Sequence, residues 1–280
     1  MIPVTLNLES DRGGKRAFHF EVVNDQLFGP LMTYAAILNT FSSYERQFGA
    51  TTFAVKGQAT VKGHDAIDFD DLFSTGQSGM DASAYVVAPL TYLMANDREK
   101  VQIDGLTLTI ASSEQPKTAT VERVWLDDPR ARAGRTVPLK VLLRTYRGAE
   151  VVKTIPIEIP ANASGSLSVV VADGARLDQT EQRDVRVPPQ LRTVDQVIKS
   201  LNKARRNNTL YVKLVGSDAG AVVNGERLSS LPPSVLAVLE ADRNGGSFNP
   251  LRSATLGEWE LATEQVVSGA RTLSITVSQN

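Results

Sequence analysis

The sequence predicts a β-rich α+β protein: an α+β N-terminal domain, a central immunoglobulin- or fibronectin-like β-sandwich, and a small α+β C-terminal part. Three observations predict it. The chain has 280 residues, more than one ordinary domain holds. Its central third consists of short alternating runs, about ten residues apart, separated by Gly and Pro. Helical periodicity is confined to the stretches before and after that third.

The N-terminal domain is expected over residues 1–112. Residues 2–23 read as a hairpin. Val4, Leu6 and Leu8 alternate with polar neighbours, as do Phe18, Phe20 and Val22, around the turn Asp11-Arg12-Gly13-Gly14. Gly29-Pro30 opens a helix ending near Gly49, with Leu31, Tyr34, Ala35, Leu38, Phe41 and Phe48 on its buried side. Residues 51–61 return to strand character. A second helix is expected from Asp81 to Asn96, kinked or broken at Pro89. Val101, Ile103, Leu106, Leu108 and Ile110 form one or two strands.

The linker Ser112-Ser113-Glu114-Gln115-Pro116 introduces the central domain, expected over 113–176. Val137, Leu139, Val141 and Leu143 alternate cleanly. Val151, Ile155, Ile157 and Ile159 follow, then Leu167, Val169 and Val171. The C-terminal domain is expected over 177–280, with 177–192 as a polar connector. Thr193, followed three residues later by Gln196, is a capping box for a helix bearing Val194, Val197, Ile198 and Leu201. Leu210, Val212 and Leu214 alternate as a strand. Leu231-Pro232-Pro233-Ser234 leads into a short helix, and the chain ends in strands from Glu258 to Val277.

Composition excludes several function classes. Thirty Lys and Arg balance thirty-one Asp and Glu, for a net charge of -1, and no long basic stripe exists to hold phosphate backbones. No nucleic-acid partner is expected. The absence of cysteine removes disulfides, thiolate metal sites and cysteine nucleophiles. No apolar run reaches the roughly 18 residues of a membrane helix. Met1-Ile2-Pro3-Val4 lacks the pattern of a signal peptide and reads as a strand entered without preamble, the expectation for a piece of a longer protein.

Each candidate site has a plain structural alternative. His19 sits in an alternating strand and His64 in the turn Lys62-Gly63-His64-Asp65, so neither asks for a metal. Gly76-Gln77-Ser78-Gly79 is not a nucleophile elbow, because its second glycine comes one residue early. A triad of Ser78, His64 and Asp81 has no support from spacing. Asp68, Asp70 and Asp71, and Asp127 with Asp128, read as turn carboxylates rather than a hydrolytic pair or a calcium loop. Gly13-Gly14 and Gly245-Gly246 are isolated turns. Lys199, Lys203, Arg205 and Arg206 suit a solvated helix end, where cations complement the dipole. Asn162-Ala163-Ser164 and Asn207-Asn208-Thr209 fit the glycosylation acceptor pattern. No catalytic, cofactor or metal residue is assigned.

The stretch Val194–Asn202, continued by Arg205-Arg206-Asn207-Asn208-Thr209-Leu210-Tyr211-Val212, resembles a known family region. It is similar to the part that follows the peptidase domain in Acidobacteria-type proteins related to the sporulation factor IV B serine peptidases. Ile2-Pro3-Val4, the strand before Gly29-Pro30, Arg147-Gly148 with Ile157-Glu158-Ile159-Pro160, and Leu231-Pro232-Pro233 extend the likeness over nearly the whole chain. The family's Gly-Met-Ser-Gly-Ser-Pro segment is missing, and Gln77-Ser78-Gly79-Met80 is only an echo of it. The resemblance therefore implies a non-catalytic, protein-interacting region of an exported, extracytoplasmic protein. Its expected partner is another protein or its own upstream peptidase domain, with no cofactor. Two other readings stand beside it: a hydrolase centred on Ser78 and His64, and a carbohydrate- or surface-binding β-sandwich protein.

Overall fold

The structure is a computed structural model. It describes residues 1–11, 14–44, 51–96, 99–184, 193–216, 220–223, 226–228, 248–251 and 254–278. The fold is a β-rich α+β architecture. It divides into two compact units: residues 1–117 with 191–207, and residues 118–190 with 208–280.

The first unit is built on a five-stranded sheet. The hairpin forms as expected, with β1 (Ile2–Ser10) antiparallel to β2 (Gly14–Val22). Next come helix α1 (Phe28–Tyr44), β3 (Thr51–Val61), β4 (Ile67–Thr75), helix α2 (Ser78–Met94) and β5 (Ile103–Ser113). The sheet order is β2-β1-β5-β3-β4, and only the β1–β5 pair is parallel. Leu6, Leu8, Val55, Leu108 and Ile110 are fully buried on one face, against Ile37 and Phe41 of α1 and Val86, Leu90 and Leu93 of α2. Period-two alternation in the strands and a single apolar face per helix join here into one core. Helix α4 (Val194–Asn202) adds Val194, Val197 and Ile198 to it. Its capping box forms as the sequence predicts, with Thr193 Oγ1 accepting from Gln196 N and Gln196 Oε1 accepting from Thr193 N.

Several expectations for this unit are corrected. Helix α1 starts at Phe28, and Pro30, Thr33, Ile37 and Phe41 face inward; Leu31 and Ala35 are exposed. Apolar residues surround this helix, so periodicity alone does not single out a face. Its expected end at Gly49, and Phe48, lie outside the described residues. Pro89 does not break α2. One missing N–H removes one helical bond, and buried Val86, Val87, Leu90 and Leu93 hold both halves of the helix. Asp68, Asp70 and Asp71 sit in strand β4 rather than in a turn.

The second unit contains β6 (Thr118–Trp125), β7 (Arg130–Arg132), β8 (Thr136–Thr145), β9 (Glu150–Glu158), β10 (Gly165–Ala172) and helix α3 (Gly174–Asp184). After β11 (Thr209–Gly216) come β12 (Gly220–Val223), β13 (Glu226–Leu228), β14 (Phe248–Leu251), β15 (Ala254–Ala262), β16 (Val266–Ser268) and β17 (Ala270–Ser278). Among the described residues these strands form three sheets: β15-β11-β10-β17-β7, β16-β6-β8-β9 and β13-β12-β14. One core draws Val121, Val141 and Ile157 from the four-stranded sheet and Val169, Val212 and Ile275 from the five-stranded one.

These pairings cut across the expected boundary at 176/177, and the first unit runs on past 112 to 117. Strand β10 bonds to β11 and β17, so residues 118–176 share a sheet with the C-terminal strands. Helix α4 belongs with the first unit instead. The 177–192 connector is, over its described part, the end of α3. Asp173 starts that helix by accepting from Arg176 N at 2.8 Å and ties it to Gly269 N at 2.7 Å. The expected helix after Leu231 lies outside the described residues.

Candidate functional site

A polar cluster lies along strand β4, where the segment 193–207 seats within the first unit. Ile67, Phe69 and Phe73 point into the core, and the period-two pattern sends Asp71 the same way. Asp71 is buried, and its Oδ1 accepts from Leu72 N at 2.7 Å and Asn207 N at 2.8 Å. Its Oδ2 accepts from Asn207 Nδ2 at 3.0 Å. Burial raises its carboxyl to about 6, more than the hydrogen bonds and the Arg206 charge lower it. Arg206 lies 2.8 Å from Asp70, and Lys56 lies 4.0 Å from the same carboxylate.

As an edge strand, β4 turns backbone groups outward, and side chains occupy them. Asn202 accepts from Asp68 N at 3.0 Å and donates to Ala66 O at 2.9 Å, imitating a neighbouring strand. The Tyr85 hydroxyl accepts from Asp70 N, and burial pushes that phenol up. The cluster thus fixes α4 and blunts a sheet edge.

His64 holds the other end of α4. Its Nδ1 lies 2.7 Å from Asp195 Oδ1 and its Nε2 lies 3.3 Å from Glu99 Oε1, with the side chain 16% exposed. The Asp195 hydrogen bond is the main cause of a raised imidazole pKa; Glu99 adds to it. Charged His64 is favoured in the fold, so its stabilisation is complete below about 6.5 and is lost as pH rises through the raised value. With two histidines in the chain, NMR titration is simple once His19→Gln assigns the signals. His64 is expected to titrate above 6.5 and to move down in Asp195→Asn; no movement refutes the pairing.

The sequence candidates are not brought together. Ser78 is buried, its Oγ lying 2.6 Å from Thr51 O and 2.8 Å from Thr75 O while accepting from Thr75 N. Asp81 accepts from Thr75 Oγ1. Ser78, His64 and Asp81 each bond to other groups. His19 is exposed beside Thr5, on the side away from Phe18 and Phe20. Asp127 pairs with Lys140 at 2.7 Å, and Asp128 accepts from Arg130 N. The Asn207 amide nitrogen is engaged by Asp71, whereas Asn162 is exposed. Among the described residues, no group of three His, Asp or Glu side chains is arranged to hold a metal ion.

Sequence reading missed Asn202, Asn207, Asp195 and Glu99, whose partners lie far away in the chain. It also missed buried Lys213, which bonds Glu181 of α3 at 2.7 Å.

A second feature is the outer surface of α1 and α2. Leu27, Phe28, Leu31, Met32, Met80 and Tyr92 are 40–70% exposed. Asp81 is the one charged residue within the two helices. Exposed large apolar side chains gathered on neighbouring helices are the kind of surface that marks interaction sites. No helix among the described residues is long and apolar enough to cross a membrane. Comparison with protein-family models, curated proteins and solved structures returns no match. What defines the chain is its class, a β-rich α+β protein with exposed apolar residues on two helices that carry a single charge.

Proposed function

We propose that this chain is a non-catalytic protein-interaction region associated with an exported bacterial serine-peptidase-like protein. The observation that carries the interaction is the exposed face of α1, a helix without charged residues, with Phe28, Leu31 and Met32 more than half exposed. A hydrophobic helix face without charges suits an apolar partner surface, because docking on α1 desolvates no ion. The occupied hydroxyl of Ser78 and the paired carboxylates argue in the same direction, since each is used in holding the fold. The second unit is read as an immunoglobulin-like β-sandwich because one core joins residues of two sheets. The extracytoplasmic setting and the peptidase association rest on the resemblance of residues 194–212.

A serine-directed fluorophosphonate probe tests the non-catalytic part. The protein is expected to remain unlabelled; labelling abolished by Ser78→Ala overturns the reading. The in-frame coding sequence upstream of Met1 tests the association. A peptidase domain there supports it, and an unrelated domain counts against it.

A further inference from the structure

The first unit treats its two sheet edges differently. On β4, Asn202, Tyr85 and Asp71 take up the N–H groups of Asp68, Asp70 and Leu72. The other edge, β2, is a nine-residue strand, terminal in the sheet order, without proline or bulge. Such an edge is a template for another strand.

We infer that β2 pairs antiparallel with β2 of a second copy of this chain, joining two five-stranded sheets into one. Charge pattern commits the site to that occupant. The two-fold register pairing all nine residues sets Gly14 opposite Val22, Lys15 opposite Glu21, Arg16 opposite Phe20 and Phe18 opposite itself. Symmetry makes the Lys15–Glu21 pair twice. Within each copy Lys15 already bonds Glu9 at 2.6 Å, so opposite charges alternate across the joined sheet. Phe18 and Phe20, half-buried against the core, extend its aromatic side across the junction.

The other long edges lack this match. Strand β9 carries Pro156, and the same pairing of β9 with itself sets Glu150 against Glu158. Strand β15 carries charges of one sign, Glu258 and Glu260. The inference concerns a different surface from the α1/α2 face and survives if that face has another role.

Sedimentation and light scattering of the full chain test it. The expected mass is twice 30.3 kDa at micromolar concentration. Glu21→Lys sets lysine against lysine twice and is expected to weaken the dimer about tenfold at low salt. Lys15→Glu acts alike, and the double variant Lys15→Glu/Glu21→Lys restores association. Both side chains are exposed, and circular dichroism checks the fold. A monomeric wild type overturns the inference. So does a dimer that neither single change weakens, or one that the double change fails to rescue.

Discussion

Alanine at position 57 is expected to cost the first unit about 3 kcal/mol or more, enough to unfold it in many conditions. Gly57 lies in β3, the strand between β4 and β5, opposite Phe69 on one side and Leu108 on the other. Its φ is 155°. A Cβ there would collide with the backbone carbonyl oxygen of Thr107 and lie 2.9 Å from Leu108 Cα. Both obstacles are backbone atoms of a paired strand, so neither can swing aside as a side-chain end would. Relief requires separating β3 from β5, which opens the sheet above buried Leu108 and Val55. Gly63→Ala is the comparison. Gly63 has φ 79° and open space around it, so the cost there is about 1–2 kcal/mol of backbone strain. Denaturation followed by circular dichroism measures both. Amide exchange should show the Gly57→Ala loss in β3 and β5. Equal losses for the two variants would refute the steric account.

The second large effect is pH-dependent. Asp71→Asn is expected to match the wild type near pH 4 and to exceed it in stability at pH 7.5. The wild-type carboxyl is raised from 3.8 to about 6 by burial. Between those values the folded chain holds a proton that the unfolded chain has released. Folded stability therefore falls as pH rises through that window, by on the order of 2–3 kcal/mol. Asparagine carries no charge to desolvate. Its oxygen can accept from Leu72 N and Asn207 N, and its amide can donate to Asn207 once that side chain turns over. Asp71→Ala provides neither and leaves buried donors unsatisfied at every pH, a loss of about 1–3 kcal/mol per group. A stability difference between wild type and Asp71→Asn that stays constant from pH 4 to 7.5 would sink the assignment.

Local patterning made much of the fold legible. The β1–β2 hairpin, β3, β8 and the Thr193 capping box follow from period-two alternation, turn residues and Ser/Thr-x-x-Gln spacing. Each of these signals is complete within about ten residues. Strand β4 was hidden because three aspartates in four positions, 68–71, resemble a turn. The alternation of Ile67, Phe69 and Phe73 carried the better signal, and it places Asp71 inward. The face of α1 was ambiguous because Leu31, Met32, Ile37 and Leu38 cover more than one side. What no local pattern encodes is which distant strand pairs with which. The union of β10 with β11 and β17, and the meeting of Asp71 with Asn207, depend on tertiary packing.

The division of the first unit along the chain orders its assembly. During synthesis β4 leaves the ribosome long before α4 exists, since β6 to β10 and α3 come between. Until Asn202 and Asn207 emerge, Asp71 has no Asn207 to bond and the backbone groups at Asp68 and Ala66 stay open to any passing strand. Nascent chains stopped before residue 193 should consequently be sticky at that edge, and those extended past 207 should not. Completion of the N-terminal unit then becomes a checkpoint that the ribosome passes only after most of the intervening strands have been made.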